Sequence, residues 1–110
     1  SGKLFDRNYL KQMLKLFEEL NDTTQISATL NVLGIVSRHI GDYEKSIEYY
    51  KRALSFANKS GNVRMKAYLL CNIGNLYIQS ETGGDSTAAY AGDFFFEAEK
   101  ISQIDRDEFA

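Results

Sequence analysis

The sequence has no proline, one cysteine (Cys71) and one histidine (His39). Without proline, nothing in the chain forces a helix to break or kink. A lone cysteine cannot close an internal disulfide, so cysteine usage fixes no compartment and the cytoplasm is the default expectation. A lone histidine removes any His–His metal pair and leaves a Ser-His-Asp or Cys-His arrangement dependent on one ring. No apolar run approaches the ~20 residues of a membrane span. The start, Ser1-Gly2-Lys3, has neither Met nor an apolar stretch. It reads as an expression remnant followed by the interior of a longer protein, from which a targeting signal could have been cut.

What is present is 110 residues, 44% hydrophobic and 25% charged. A chain of this size is expected to form a single domain burying roughly 65% of its unfolded surface, enough for a core without metals or disulfides. The formal net charge of -2 gives no general bias toward nucleic acid, but the charges are unevenly placed. Residues 1–37 carry four of each sign, residues 38–66 seven basic against three acidic, and residues 81–110 two basic against eight acidic. A basic middle and an acidic end could steer a charged partner or let molecules stack end to end. A solvated helical surface is the plainer reading.

The chain repeats itself. Leu33-Gly34 recurs as Ile73-Gly74, 40 residues on, within the related stretches Asn31–Val36 and Cys71–Leu76. Half that period marks the turns: Asn21-Asp22, Gly41-Asp42, Gly61-Asn62 and Gly84-Asp85 lie 20, 20 and 23 residues apart. In each pair a residue that tolerates the left-handed conformation precedes a good N-cap, so one helix can end and the next begin within two residues. Such short connections make neighbouring helices antiparallel, and the pattern predicts consecutive helical hairpins.

Apolar periodicity agrees. A first helix over about 7–20 places Leu10, Met13, Leu14, Phe17 and Leu20 on one face. A second over about 24–40 offers Ile26, Leu30, Leu33, Ser37 and Ile40, and a third over about 43–60 offers Tyr43, Ile47, Tyr50, Ala53, Leu54 and Ala57. The fourth, about 63–80, is apolar on more than one side, with Ala67, Leu70, Ile73, Gly74 and Tyr77 on one stripe and Leu69, Leu76 and Ile78 beside it. That is expected of a middle helix packed on two sides. The fifth, about 86–104, uses Ala91, Phe94, Phe95, Ala98 and Ile101, with Phe96 off the stripe and Gly92 blurring the register. Residues 79–86 are the one loop-like stretch. Gly34, Gly74, Ala53 and Ala98 fall on buried stripes, where a missing side chain lets the paired helix approach and a neighbouring aromatic fill the gap.

These residues resemble the tetratricopeptide repeat family. Leu30, Leu33 and Gly34 stand where that family has Trp, Leu and Gly, and Gly41–Leu54 follows its second-helix pattern. Leu70, Ile73, Gly74 and Tyr77, then Ala91, Phe95 and Ala98, match a further repeat. The resemblance covers about 24–104 (repeats 24–60 and 63–104), with 7–20 as the second helix of a preceding repeat. Ser37 replaces the usual Tyr, and Asn58 stands where shorter repeats have Pro. The 40-residue period is similar to the longer variant in Pins-type adaptors, Rap-type bacterial regulators and repeat-bearing bacterial sensor kinases. The resemblance implies an all-α, right-handed solenoid of about five antiparallel helices.

Catalytic chemistry is not expected. His39 falls in the last turn of the second helix, where a basic side chain suits the helix dipole. Cys71 reads as a small, partly buried mid-helix residue. No phosphate-binding glycine motif occurs, and carboxylates such as Glu48 are expected to form i,i+4 pairs, here with Arg52. Neither enzyme activity, metal nor cofactor is predicted. Lys45, Lys51, Arg52, Lys59, Arg64 and Lys66 are interleaved with Glu44 and Glu48 and make no clean nucleic-acid stripe.

The resemblance implies a concave groove lined by Asn31, Ile35, Arg38 and His39 from one repeat, and by Tyr68, Cys71, Asn72, Asn75, Ile78 and Gln79 from the next. Asn31, Asn72 and Asn75 would offer amides that both donate to and accept from a peptide backbone. Ile35 and Cys71 stand where a carboxylate clamp would need polar groups, so a chaperone C-terminus is not the expected ligand. The expectation is a non-catalytic module binding a peptide or helical segment of a partner, within a larger scaffold or regulator. Two alternatives are self-association through apolar end faces (Leu10 and Phe17 at one end, Phe94 and Phe96 at the other) and a sensory peptide-binding region of a bacterial signalling protein.

Overall fold

The computed structural model describes residues 6–80, 95–101 and 103. Four helices follow one another, α1 (Arg7–Glu19), α2 (Thr23–His39), α3 (Tyr43–Ser60) and α4 (Val63–Gln79), and residues 95–101 are also helical. The described residues contain no strand. The chain is all-α, with the first four helix boundaries within one residue of those read from periodicity. Of the expected loop over 79–86, Gln79 is instead the last residue of α4, and residues 81–86, with Gly92 and with Ala91 and Phe94 of the fifth helix, lie outside the described residues.

The turns repeat one piece of chemistry three times. Asn21, Gly41 and Gly61 take φ of 54°, 84° and 68°, the left-handed region that the sequence pairs anticipate. At each, two backbone amides turn back onto the finished helix: Asp22 to Phe17 and Asn21 to Glu18, Asp42 to Ser37 and Gly41 to Arg38, Asn62 to Ala57 and Gly61 to Asn58. This double closure satisfies carbonyls that the helix end would leave orphaned. The next residue then caps the following helix, with Asp22, Asp42 and Asn62 accepting from the amides of Gln25, Lys45 and Met65. With so few residues between them, successive helices fold back on each other.

The core lies between α1, α2 and α3 and extends onto α4, with Leu30, Leu33, Tyr50, Leu69, Leu70, Ile73 and Leu76 almost fully buried. As expected, α4 packs on more than one side, against α2, α3 and the helical residues 95–101, and α2 likewise contacts α1, α3 and α4. Ala67, Leu70 and Ala98 form a smaller cluster between α4 and the helical residues 95–101, with Leu54, Cys71 and Ile101 at its edge.

Glycine positions set the closest approaches. A Cβ on Gly34 would stand 2.5 Å from ring atoms of Tyr50, and one on Gly74 would stand 3.1 Å from the ring of Phe95. Two buried hydroxyls reinforce the α2–α3 pair in opposite directions: Ser46 Oγ donates to the Gly34 carbonyl at 2.7 Å, and Ser27 Oγ to the Ala53 carbonyl at 2.9 Å. Each removes an unpaired polar group from the interior.

Several expectations are corrected. Leu20 and Ile40, assigned to the core stripe, are 72% and 61% exposed. They are the C-cap residues of α1 and α2, where the chain leaves the helical path and a 100° projection no longer holds. Leu10 is buried and Phe17 half-buried against α2, so neither forms an exposed end face. The outward stripe of α1 is instead Tyr9, Leu16 and Leu20. Glu48 pairs with Lys45 at 3.2 Å, and Arg52 reaches Glu18 on α1 at 3.7 Å, in place of a Glu48–Arg52 pair.

Candidate functional site

The candidate residues divide between two helices in contact, α2 and α4. On α2, Asn31, Ile35, Arg38 and His39 follow the i, i+4, i+7, i+8 pattern and share a face. On α4, Tyr68, Cys71, Asn72, Asn75, Ile78 and Gln79 form a second such row. One contact joins the rows: Asn72 Nδ2 donates to Asn31 Oδ1 at 2.8 Å, across 41 residues of sequence.

That bond changes the part Asn31 plays. At 7% exposure, Asn31 does not offer a free amide as expected, because α4 closes over it. Its carbonyl holds the Asn72 carboxamide in place. Asn72 is half-buried, and its Oδ1 has no partner among the described residues, so an acceptor is left at a fixed position. Asn75, one turn on, is exposed together with Tyr68, Ile78 and Gln79. Ile35 packs against the main core and Cys71 against the smaller cluster, so both form the floor of the face. His39 is exposed at the end of α2.

Arg38 is half-buried and makes no ion pair among the described residues. Its charge acts on the Tyr50 hydroxyl, which comes from α3 and is fully buried; the hydroxyl makes no well-aligned hydrogen bond, its polar neighbour being the Ser46 hydroxyl, which donates to the Gly34 carbonyl. Burial raises the Tyr50 pKa, against the opposing pull of Arg38. Tyr68 on α4 lies near enough to act on the same hydroxyl. Burial also raises the pKa of Cys71, which disfavours the thiolate a nucleophile would need.

Sequence reasoning missed the contacts that come from tertiary meeting. Arg7 on α1 bonds Asp42 at 3.0 Å, so the carboxylate that caps α3 also ties α1 to the α2–α3 turn. This holds the Asp42 pKa below 3.8, through the Arg7 hydrogen bond first, against partial desolvation. No local pattern flagged this pair. Ser27 and Ser46, whose hydroxyls cross between α2 and α3, were missed too; of the buried serines only Ser37 stood on an expected apolar stripe.

Three clefts lie away from the α2–α4 face. One of about 350 Å³ is bordered by Arg7, Lys11, Val36 and Ile40, and one of about 330 Å³ by Tyr43, Ile47, Leu76 and Tyr77. A third, about 240 Å³, is bordered by Phe96, Glu99, Lys100 and Gln103. Among the described residues no group of three His, Cys, Asp or Glu side chains could hold a metal ion, and no helix is long and apolar enough to cross a membrane. No family model, no curated protein and no solved structure matches this chain.

Proposed function

We propose that the chain is a non-catalytic protein-interaction module, built as consecutive tetratricopeptide-like hairpins, that binds a peptide or helical segment of a partner along the face shared by α2 and α4. The observation that carries this reading is the Asn72–Asn31 bond, which fixes an amide acceptor between two helices on a face that also exposes Asn75, Tyr68 and Ile78. An extended backbone needs such acceptors at set positions, with aliphatic and aromatic surface beside them for its side chains. Repeats related by 40 residues stack their first helices side by side, which supports a groove on this side of the molecule.

The test is selection of displayed random peptides on the wild-type protein and on Asn72→Ala/Asn75→Ala. Wild type should enrich a family of related peptides, and the double variant should lose that family while keeping its helical circular dichroism. Equal enrichment by both proteins would remove the face from the account.

Self-association is the second reading, and the exposure of Leu16 (59%), Leu20 and Phe96 (66%) favours it. Sedimentation equilibrium distinguishes the two. A dimer that persists in high salt and disappears on Leu16→Ser or Phe96→Ser would support this alternative.

A further inference from the structure

We propose that the segment seated on the α2–α4 face is acidic, with one of its carboxylates pairing with Arg38; this rests on the interaction reading above. Neither α2 nor α4 contains an Asp or Glu, whereas α1 carries Glu18 and Glu19 and α3 carries Glu44 and Glu48. Within the described helices the acidic residues therefore lie on α1, α3 and residues 95–101, with Asp6, Asp22 and Asp42 confined to N-caps, Asp42 already paired with Arg7. The charged side chains on α2 and α4 are all basic: Arg38 at the end of α2, and Arg64 and Lys66 on α4. Lys66 already reaches Glu97 at 3.9 Å.

Arg38 differs from Lys66 in having no carboxylate to answer it among the described residues, although it is half-buried. A guanidinium with no carboxylate partner among the described residues has its fork of donors open to one, and an arriving carboxylate would gain charge-assisted hydrogen bonds there. With no acid on α2 or α4 to neutralise it locally, the positive potential favours acidic partners over basic ones. Toward the middle of the face the chemistry changes to the Asn72 acceptor, Asn75 and the aliphatic Ile35 and Ile78. Amide and aliphatic surface suits a polypeptide better than a phosphate backbone, which calls for a run of cations.

Random dodecapeptides displayed on phage, selected on wild type and on Arg38→Glu, test this. Wild type should enrich Asp and Glu over the starting library, and Arg38→Glu should lose that enrichment while melting as a folded protein. A synthetic peptide taken from the wild-type selection should bind Arg38→Gln about tenfold more weakly. Its own Glu→Gln version should lose a similar factor on wild type and nothing further on Arg38→Gln. Peptides enriched without acidic bias, or acidic bias that survives Arg38→Glu, would overturn this inference and leave the interaction reading standing. No enriched peptide at all, or binding of an oligothymidylate probe alone, would overturn both.

Discussion

The Tyr50 ring occupies the space that a side chain on Gly34 would fill, with ring carbons 2.5 Å from where the Cβ would stand. Tyr50 is fully buried and the Ser46 hydroxyl bonds the Gly34 carbonyl at the same place, so neither partner can withdraw cheaply.

Gly34→Ala should therefore destabilise the protein by about 1–3 kcal/mol in chemical denaturation, even though alanine is intrinsically the better helix former by about 1 kcal/mol. Gly74→Ala meets the Phe95 ring at 3.1 Å, a contact that a small shift relieves, and should stay within about 1 kcal/mol of wild type. Equal effects at the two glycines would contradict the packing described here.

Tyr50→Phe should leave stability unchanged or raise it by about 1 kcal/mol, because it deletes a buried hydroxyl with no well-aligned hydrogen bond, its Ser46 neighbour being spent on the Gly34 carbonyl. A clear loss on this substitution would mean that the hydroxyl is satisfied in solution.

Asp42 gives a pH signature. Its folded pKa lies below the 3.8 of the free side chain, chiefly through the Arg7 hydrogen bond. The ionised carboxylate thus contributes stability that is fully present above that value and is lost as pH falls through the lower folded pKa. Asp42→Asn retains a capping side chain and removes the ion pair, so its stability should change less on acidification than that of wild type. Parallel pH profiles for the two proteins would show that the pair contributes nothing.

Cys71, partly buried and with its pKa raised by burial, should react with iodoacetamide at mildly alkaline pH more slowly than a cysteine in a short unstructured peptide. Faster reaction would point to an activated thiol, and would reopen the chemistry set aside on sequence grounds.

The turns were legible because their chemistry is local: Asn21-Asp22, Gly41-Asp42 and Gly61-Asn62 each state both the end of one helix and the cap of the next. The Gly34–Tyr50 and Gly74–Phe95 contacts were legible as small and aromatic residues on facing stripes. Periodicity failed at Leu20 and Ile40, where the helical path ends and the projection ends with it. It also could not say that Asn31 and Asn72 meet, since two amides 41 residues apart carry no pattern linking them. The Arg7–Asp42 and Arg52–Glu18 pairs escaped for the same reason: they join different helices, whereas sequence spacing exposes only pairs along one helix.

The most direct test of the interaction reading is a two-dimensional nitrogen–proton spectrum of the protein titrated with a peptide from the wild-type selection. The account predicts shifts in the side-chain amides of Asn31, Asn72 and Asn75 and in the backbone amides of Arg38 and Tyr68, with α1 unperturbed. Shifts confined to the exposed stripe of Leu16 and Leu20, with those Asn side chains unmoved, would contradict it.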